Sequence, residues 1–171
     1  MTIDQAALGG AVKAVIAAAH TGDLAGLYRA VMPPAGTETP PAEATAWFGS
    51  LIIHLALTAA SDSKLEQGCS REAVSAWVEE TEGPLPTPAR LRATDPGGID
   101  HVEAMTAAAG YSQCREYAVD LIGLGLTDPD EEPDERVVDA HCAVTNDKDA
   151  RITVMAMLGR LAAAPDGHGR R

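Results

Sequence analysis

Alanine sets the fold class of this chain. It supplies 32 of 171 residues, whereas aromatic side chains make up only 4%. Alanine loses no side-chain freedom in a helix and is the best helix former, while strands draw on β-branched and aromatic residues. The expected fold is all-α. A chain of 171 residues can bury a core without disulfides or metals and suits one domain. Apolar residues total 46%, but alanine takes so many that large apolar groups are scarce. Burying a Leu- or Val-sized side chain contributes about 1.5–3 kcal/mol. Part of that scarce supply is expected to be shared across a subunit interface, as in a homodimer.

Helical spacing and stop signals divide residues 1–164 into a single bundle of seven to eight helices, with 165–171 (PDGHGRR) expected as a disordered basic tail. The first helix spans about Asp4 to His20 and ends at Thr21-Gly22. Asp23 caps a second, Leu24 to Met32, with Leu24, Leu27, Tyr28 and Val31 on one face. Thr39-Pro40-Pro41 reads as a cap with early-turn prolines for a third helix over residues 42–60. Phe48, Leu51, Ile52, Leu55 and Ala59 mark its face and Ile53 and Leu57 widen it, so this helix is expected at the centre. Ser63 and Glu66 resemble a capping box for one turn, and Ser70 caps a fourth helix to Glu82 that turns Val74, Trp77 and Val78 inward. A single turn is expected at Pro88 to Arg92. Asp100 and Glu103 form a capping box for a fifth helix that ends at Ala109 before Gly110, and Ser112 caps a sixth to Leu124. A seventh spans Asp134 to Val144. Asn146 caps an eighth, striped by Ile152, Met155, Leu158 and Leu161 or Ala162.

Charge narrows the partners. The formal net charge is −12, from 13 Lys and Arg against 25 Asp and Glu, and the only basic run is Arg170-Arg171. Nucleic acid or an anionic membrane needs cations placed against phosphates, so both are disfavoured. A protein partner or self-association is expected instead. Met1-Thr2-Ile3-Asp4 carries no cationic leader region, and Gly9, Gly10 and Lys13 interrupt the apolar stretch that follows, so no secretory signal or membrane span is expected. Cys69, Cys114 and Cys142 are odd in number and far apart, which suits free thiols in a reducing interior. Arg outnumbers Lys 10 to 3, a bias of GC-rich bacterial coding. The expected location is a bacterial cytoplasm.

Motifs for chemistry are absent: no phosphate loop, dinucleotide fingerprint, nucleophile elbow, C-x-x-C or H-E-x-x-H occurs. No cofactor is expected. The segment 127–135 (TDPDEEPDE) alternates Asp128, Asp130, Glu132 and Asp134 like a calcium loop. Pro133 stands where such a loop needs glycine, so these four are weak metal candidates in a solvated connector. Residues 102–121 resemble a helix-turn-helix with Gly110 in the turn and Met105 and Ala109 facing inward, but Glu116 falls where a buried aliphatic residue is required. A turn at Gly110 would also bring Cys114 towards His101. His141 and Cys142 are adjacent, so their side chains diverge on a helix. Trp47, Ser50, His54 and Thr58 share one side of the central helix and could line a small-molecule pocket. The leading expectation is a non-catalytic interaction or regulatory module. The alternatives are a ligand sensor or enzyme with a pocket near His54, and a DNA-binding regulator acting through residues 102–121.

Overall fold

Aspartate starts most of the helices. Asp4 accepts from the amides of Ala6 and Ala7 and opens α1 (Gln5–Thr21); Asp23 accepts from Gly26 and opens α2 (Leu24–Val31). Asp100 accepts from Glu103 at the head of α6 (His101–Leu124), Asp134 from Arg136 at α7 (Glu135–Asn146), and Asp147 from Ala150 at α8 (Lys148–Leu161). Each carboxylate satisfies an amide that the helix itself cannot pair and meets the positive end of the helix dipole. Some of the acidity of this chain is therefore helix punctuation. Ser70 performs the same task for α4 (Arg71–Glu82), while α3 (Pro41–Asp62) and α5 (Pro88–Thr94) begin at prolines. Glycine ends α1: Gly22 takes φ +69°, a left-handed conformation that costs residues with a β-carbon more.

The computed structural model describes residues 2–94 and 97–163. Eight α-helices, one short 3₁₀ turn (Gly36–Glu38) and no strand occur among the described residues. The tail expected at 165–171 lies outside them.

Two helices share the centre. Helix α3 packs against α1, α6, α7 and α8, as its hydrophobicity predicts, and Leu51, Ile52, Leu55, Ala56 and Ala59 are fully buried. It is also the one described helix long and apolar enough to cross a membrane, and here four helices surround it. Helix α8 is the second axis. It packs against α1, α2, α3, α4, α6 and α7, and buries Val154, Met155, Met157 and Leu158. Small residues allow the close approach of α1: a β-carbon on Gly159 would stand 2.8 Å from that of Ala19. At one end of α3, the buried Trp47 indole donates to the Val31 carbonyl at 3.1 Å and fastens the end of α2.

Four local expectations are corrected. The fifth and sixth helices are one: α6 runs unbroken through Gly110 and Ser112. Glycine costs a helix about 1 kcal/mol relative to alanine. That cost does not end a helix whose neighbours are alanines and which packs on α5, α7 and α8. The total of eight helices holds because the turn at Pro88 extends into α5. The cap of α8 is Asp147 and not Asn146, which closes α7 and donates its side-chain amide to Cys142 O at 2.8 Å. Thr39 does not cap α3; its hydroxyl is buried without a partner, and Pro40 holds the cap position. Ser63 donates to Ala60 O as the C-cap of α3 and starts no turn with Glu66.

Candidate functional site

The four residues proposed around His54 do not converge. His54 faces solvent, and its Nδ1–H donates to the Ser50 carbonyl one turn back at 2.8 Å; the Thr58 hydroxyl likewise donates to His54 O at 2.7 Å. These bonds fold the side chains onto their own helix. Trp47 is buried, and borders a shallow 210 Å³ cleft formed with Ile3, Pro33 and Thr39. Ser50 borders a separate 440 Å³ groove between α3 and α7. There the His141 ring donates to Gly49 O at 3.0 Å, while Cys142 points outward, as adjacency on a helix requires.

The acidic connector is used locally. Asp128 accepts from the Asp130 amide at 3.0 Å, Asp134 caps α7, and all four candidate acids are exposed. Among the described residues no group of three or more His, Cys, Asp or Glu could hold a metal ion. His101 and Cys114 lie thirteen positions apart on the unbroken α6, roughly 20 Å along its axis, so they cannot act together.

The denser polar clusters lie elsewhere, and sequence spacing did not find them. At the end of α4 the Glu82 carboxylate is 94% buried and grips Arg160 of α8 at 2.7 and 2.9 Å, which holds that guanidinium firmly protonated. The Tyr111 hydroxyl of α6 stands 3.4 Å from the same guanidinium. Beside it Arg115, 7% exposed, donates to Gly83 O at 2.8 Å and leaves its Nε without a partner. A guanidinium at the C-cap carbonyl just past α4 lies near the negative end of the helix dipole. On the other side of α6, Arg71 of α4 bonds Asp120 at 2.7 Å and also Glu116. Arg151 of α8 stacks over Phe48 at 3.7 Å and donates to Thr145 O. Except for the Arg151–Thr145 bond, these contacts join residues more than thirty positions apart, so no local pattern announces them.

Surface geometry supplies the candidate interaction sites. On α2, Leu24 (62% exposed) and Tyr28 (43%) stand four residues apart on one outward face, and Met32 (39%), the extended residue that follows the helix, continues the exposed apolar surface. Leu27 and Val31 bury the adjoining face. The sequence grouped Leu24 and Tyr28 with them on one face; the apolar arc of α2 is wider than the core it meets. On α6, Val102 and Met105 are 70% and 52% exposed, the reverse of the inward Met105 that a turn at Gly110 required. Beneath this part of α6, a groove of about 590 Å³ opens against the first turns of α8. Its sides carry Tyr111, Tyr117, Asp147 and Asp149, and the buried Cys114 thiol lines it. Burial pushes that thiol's pKa up, and the Asp147 carboxylate adds to the effect, so it stays neutral and weakly nucleophilic at neutral pH. An α6 drawn without a break would have shown this face in the sequence, because residues 102, 105, 106, 109, 110 and 113 share helical spacing and carry no charge.

Fold and surface together describe an all-α bundle with apolar stripes on two of its helices. Compared with family models, curated proteins and solved structures, the chain matches none.

Proposed function

We propose that this protein is a non-catalytic interaction or regulatory module that recognises another polypeptide. The observation that carries the reading is the stripe of Leu24 and Tyr28 on α2, continued by Met32. Leu24 and Tyr28 one turn apart on an exposed helix face, with Met32 just past the helix end, give the kind of apolar surface that a partner helix or groove covers. The surrounding charge of −12 favours a basic or polar partner and speeds its encounter. Three free cysteines fit work in a reducing cytoplasm.

Site-specific photocrosslinking in cells tests this. A benzophenone amino acid at position 24, 28 or 32 should give one discrete adduct. The same group at exposed Ala89 or Glu131 should give none. Adduct mass tells a second copy from a different protein. If the stripe positions crosslink no more than the two controls, the reading falls.

A further inference from the structure

The first half of α6 is bare on one side. Val102, Met105, Thr106, Ala109, Gly110 and Gln113 are all exposed, none is charged, and helical spacing sets them along one face. At the groove-side edge of that face stands Gly110, where a β-carbon would meet nothing within 4 Å. No contact among the described residues requires a glycine there, and glycine weakens the helix that carries it. What its missing side chain does provide is room for another backbone to approach α6. The groove under this face is bounded opposite by Asp147 and Asp149 at the start of α8, and none of its lining residues is Lys or Arg.

On its α6 side the groove is lined by Thr106, Ala107, Gly110, Tyr111, Gln113, Cys114 and Tyr117, an uncharged wall that faces an acidic one, and that pairing selects the occupant. We infer that the α6/α8 groove binds a basic amphipathic helix from a partner protein. The small apolar side of that helix lies along Thr106, Gly110, Gln113 and Tyr117 and crosses at Gly110. Its Lys or Arg side chains reach Asp147 and Asp149. Phosphate-bearing occupants, nucleic acid or an anionic membrane, meet those carboxylates as like charges and are excluded from the groove. The inference rests on the interaction-module reading and adds a second surface with a stated partner chemistry.

Fluorescence anisotropy on the full chain tests it. The probe is an eighteen-residue synthetic peptide of Leu, Ala and Lys, with Leu and Ala on one helical face and Lys along its edges. The control is a scrambled peptide of the same composition. The amphipathic peptide should bind at least about tenfold more tightly, because only it presents a matching face. Gly110→Leu should weaken binding by about tenfold or more through steric overlap while keeping or raising the thermal midpoint. Asp149→Asn should weaken it by about threefold, whereas neutralising Asp130, Glu131 and Glu132 together should change it by less than about twofold. Equal affinity for both peptides overturns the inference. So does indifference to Gly110→Leu, or a larger effect from the connector than from Asp149. Crosslinks from α2 combined with any of these outcomes remove the groove alone; loss of the α2 crosslinks removes the module reading itself.

Discussion

Helix α6 has two halves that are held in place by different physics. From Cys114 onward it buries Arg115, Ala118, Val119, Leu121 and Ile122 among α3, α4, α7 and α8. Before Cys114 only Ala104 is buried, and α5 is a seven-residue helix with no buried residue. The second half stands on the hydrophobic effect. The first half stands on alanine propensity and on the reciprocal Asp100–Glu103 bonds at 2.8 and 3.0 Å. One helix thus joins a stability element to a surface element. Evolution can alter the surface element at little cost to the fold.

The largest expected contrast compares two truncations on this helix. Ile122→Ala empties a site with no solvent exposure and should cost about 2–5 kcal/mol. Val102→Ala removes two methyls that already face water and should change stability by less than about 0.5 kcal/mol. Urea unfolding followed by tryptophan emission measures both. Similar losses would mean that the first half is packed against something, and the two-part description would fail.

The next effect lies at the boundary between the halves, where Arg160, Glu82 and Tyr111 meet. Arg160→Met leaves the Glu82 carboxylate buried without its cation. The loss should be about 2 kcal/mol, below the range for a fully buried pair because Arg160 still reaches solvent. Arg71→Met removes a guanidinium whose acidic partners are more open to water, and should cost under about 1 kcal/mol. If the two costs come out in reverse order, burial does not rank these pairs.

Two smaller changes act on the first half alone and with opposite sign. Gly110→Ala should stabilise it by about 1 kcal/mol and slow amide exchange across residues 101–113. Asp100→Ala should weaken it by about 1 kcal/mol and speed the same amides. Neither should move the urea midpoint much, since local opening there is expected to be separate from global unfolding. A midpoint shift equal to the local change would show that α6 folds and opens as a single unit.

The same division explains what could be read from the sequence. Helix caps are local chemistry, so Asp23, Ser70 and Asp100 with Glu103 were legible from a few neighbours, while Asp4 and Asp134 were placed inside the helices that they cap. Gly110 was misread because a glycine stops a helix only where the chain has somewhere else to go, and that depends on what the helix packs against. The His54 set failed for a related reason. Helical spacing puts Trp47 and His54 on one side, yet Trp47 is buried against the end of α2 and His54 lies in solvent. Period alone fixes an azimuth. It does not say which neighbouring helix is long enough to cover that level. The α2 stripe shows the converse, since its apolar residues were legible but their excess over the available core was not.

The smallest expected effect locates the seam itself. Cys114 is the first residue of the buried half, 7% exposed and lining the groove, while Cys142 is exposed and Cys69 is half-buried. Its pKa lies above the ordinary thiol value because burial disfavours the thiolate. In the unfolded chain the same thiol ionises at its ordinary value. As pH rises through that value, the unfolded state loses a proton that the folded state retains, so stability declines with alkalinity up to the raised folded value. Cys114→Ala should flatten that decline slightly, and iodoacetamide should alkylate Cys142 first, Cys69 next and Cys114 last. Peptide mass mapping over time at pH 8 reads the order. Alkylation of Cys114 at the rate of Cys142 would open the groove floor to solvent and move the start of the buried half to Ala118, the next fully buried residue on that helix.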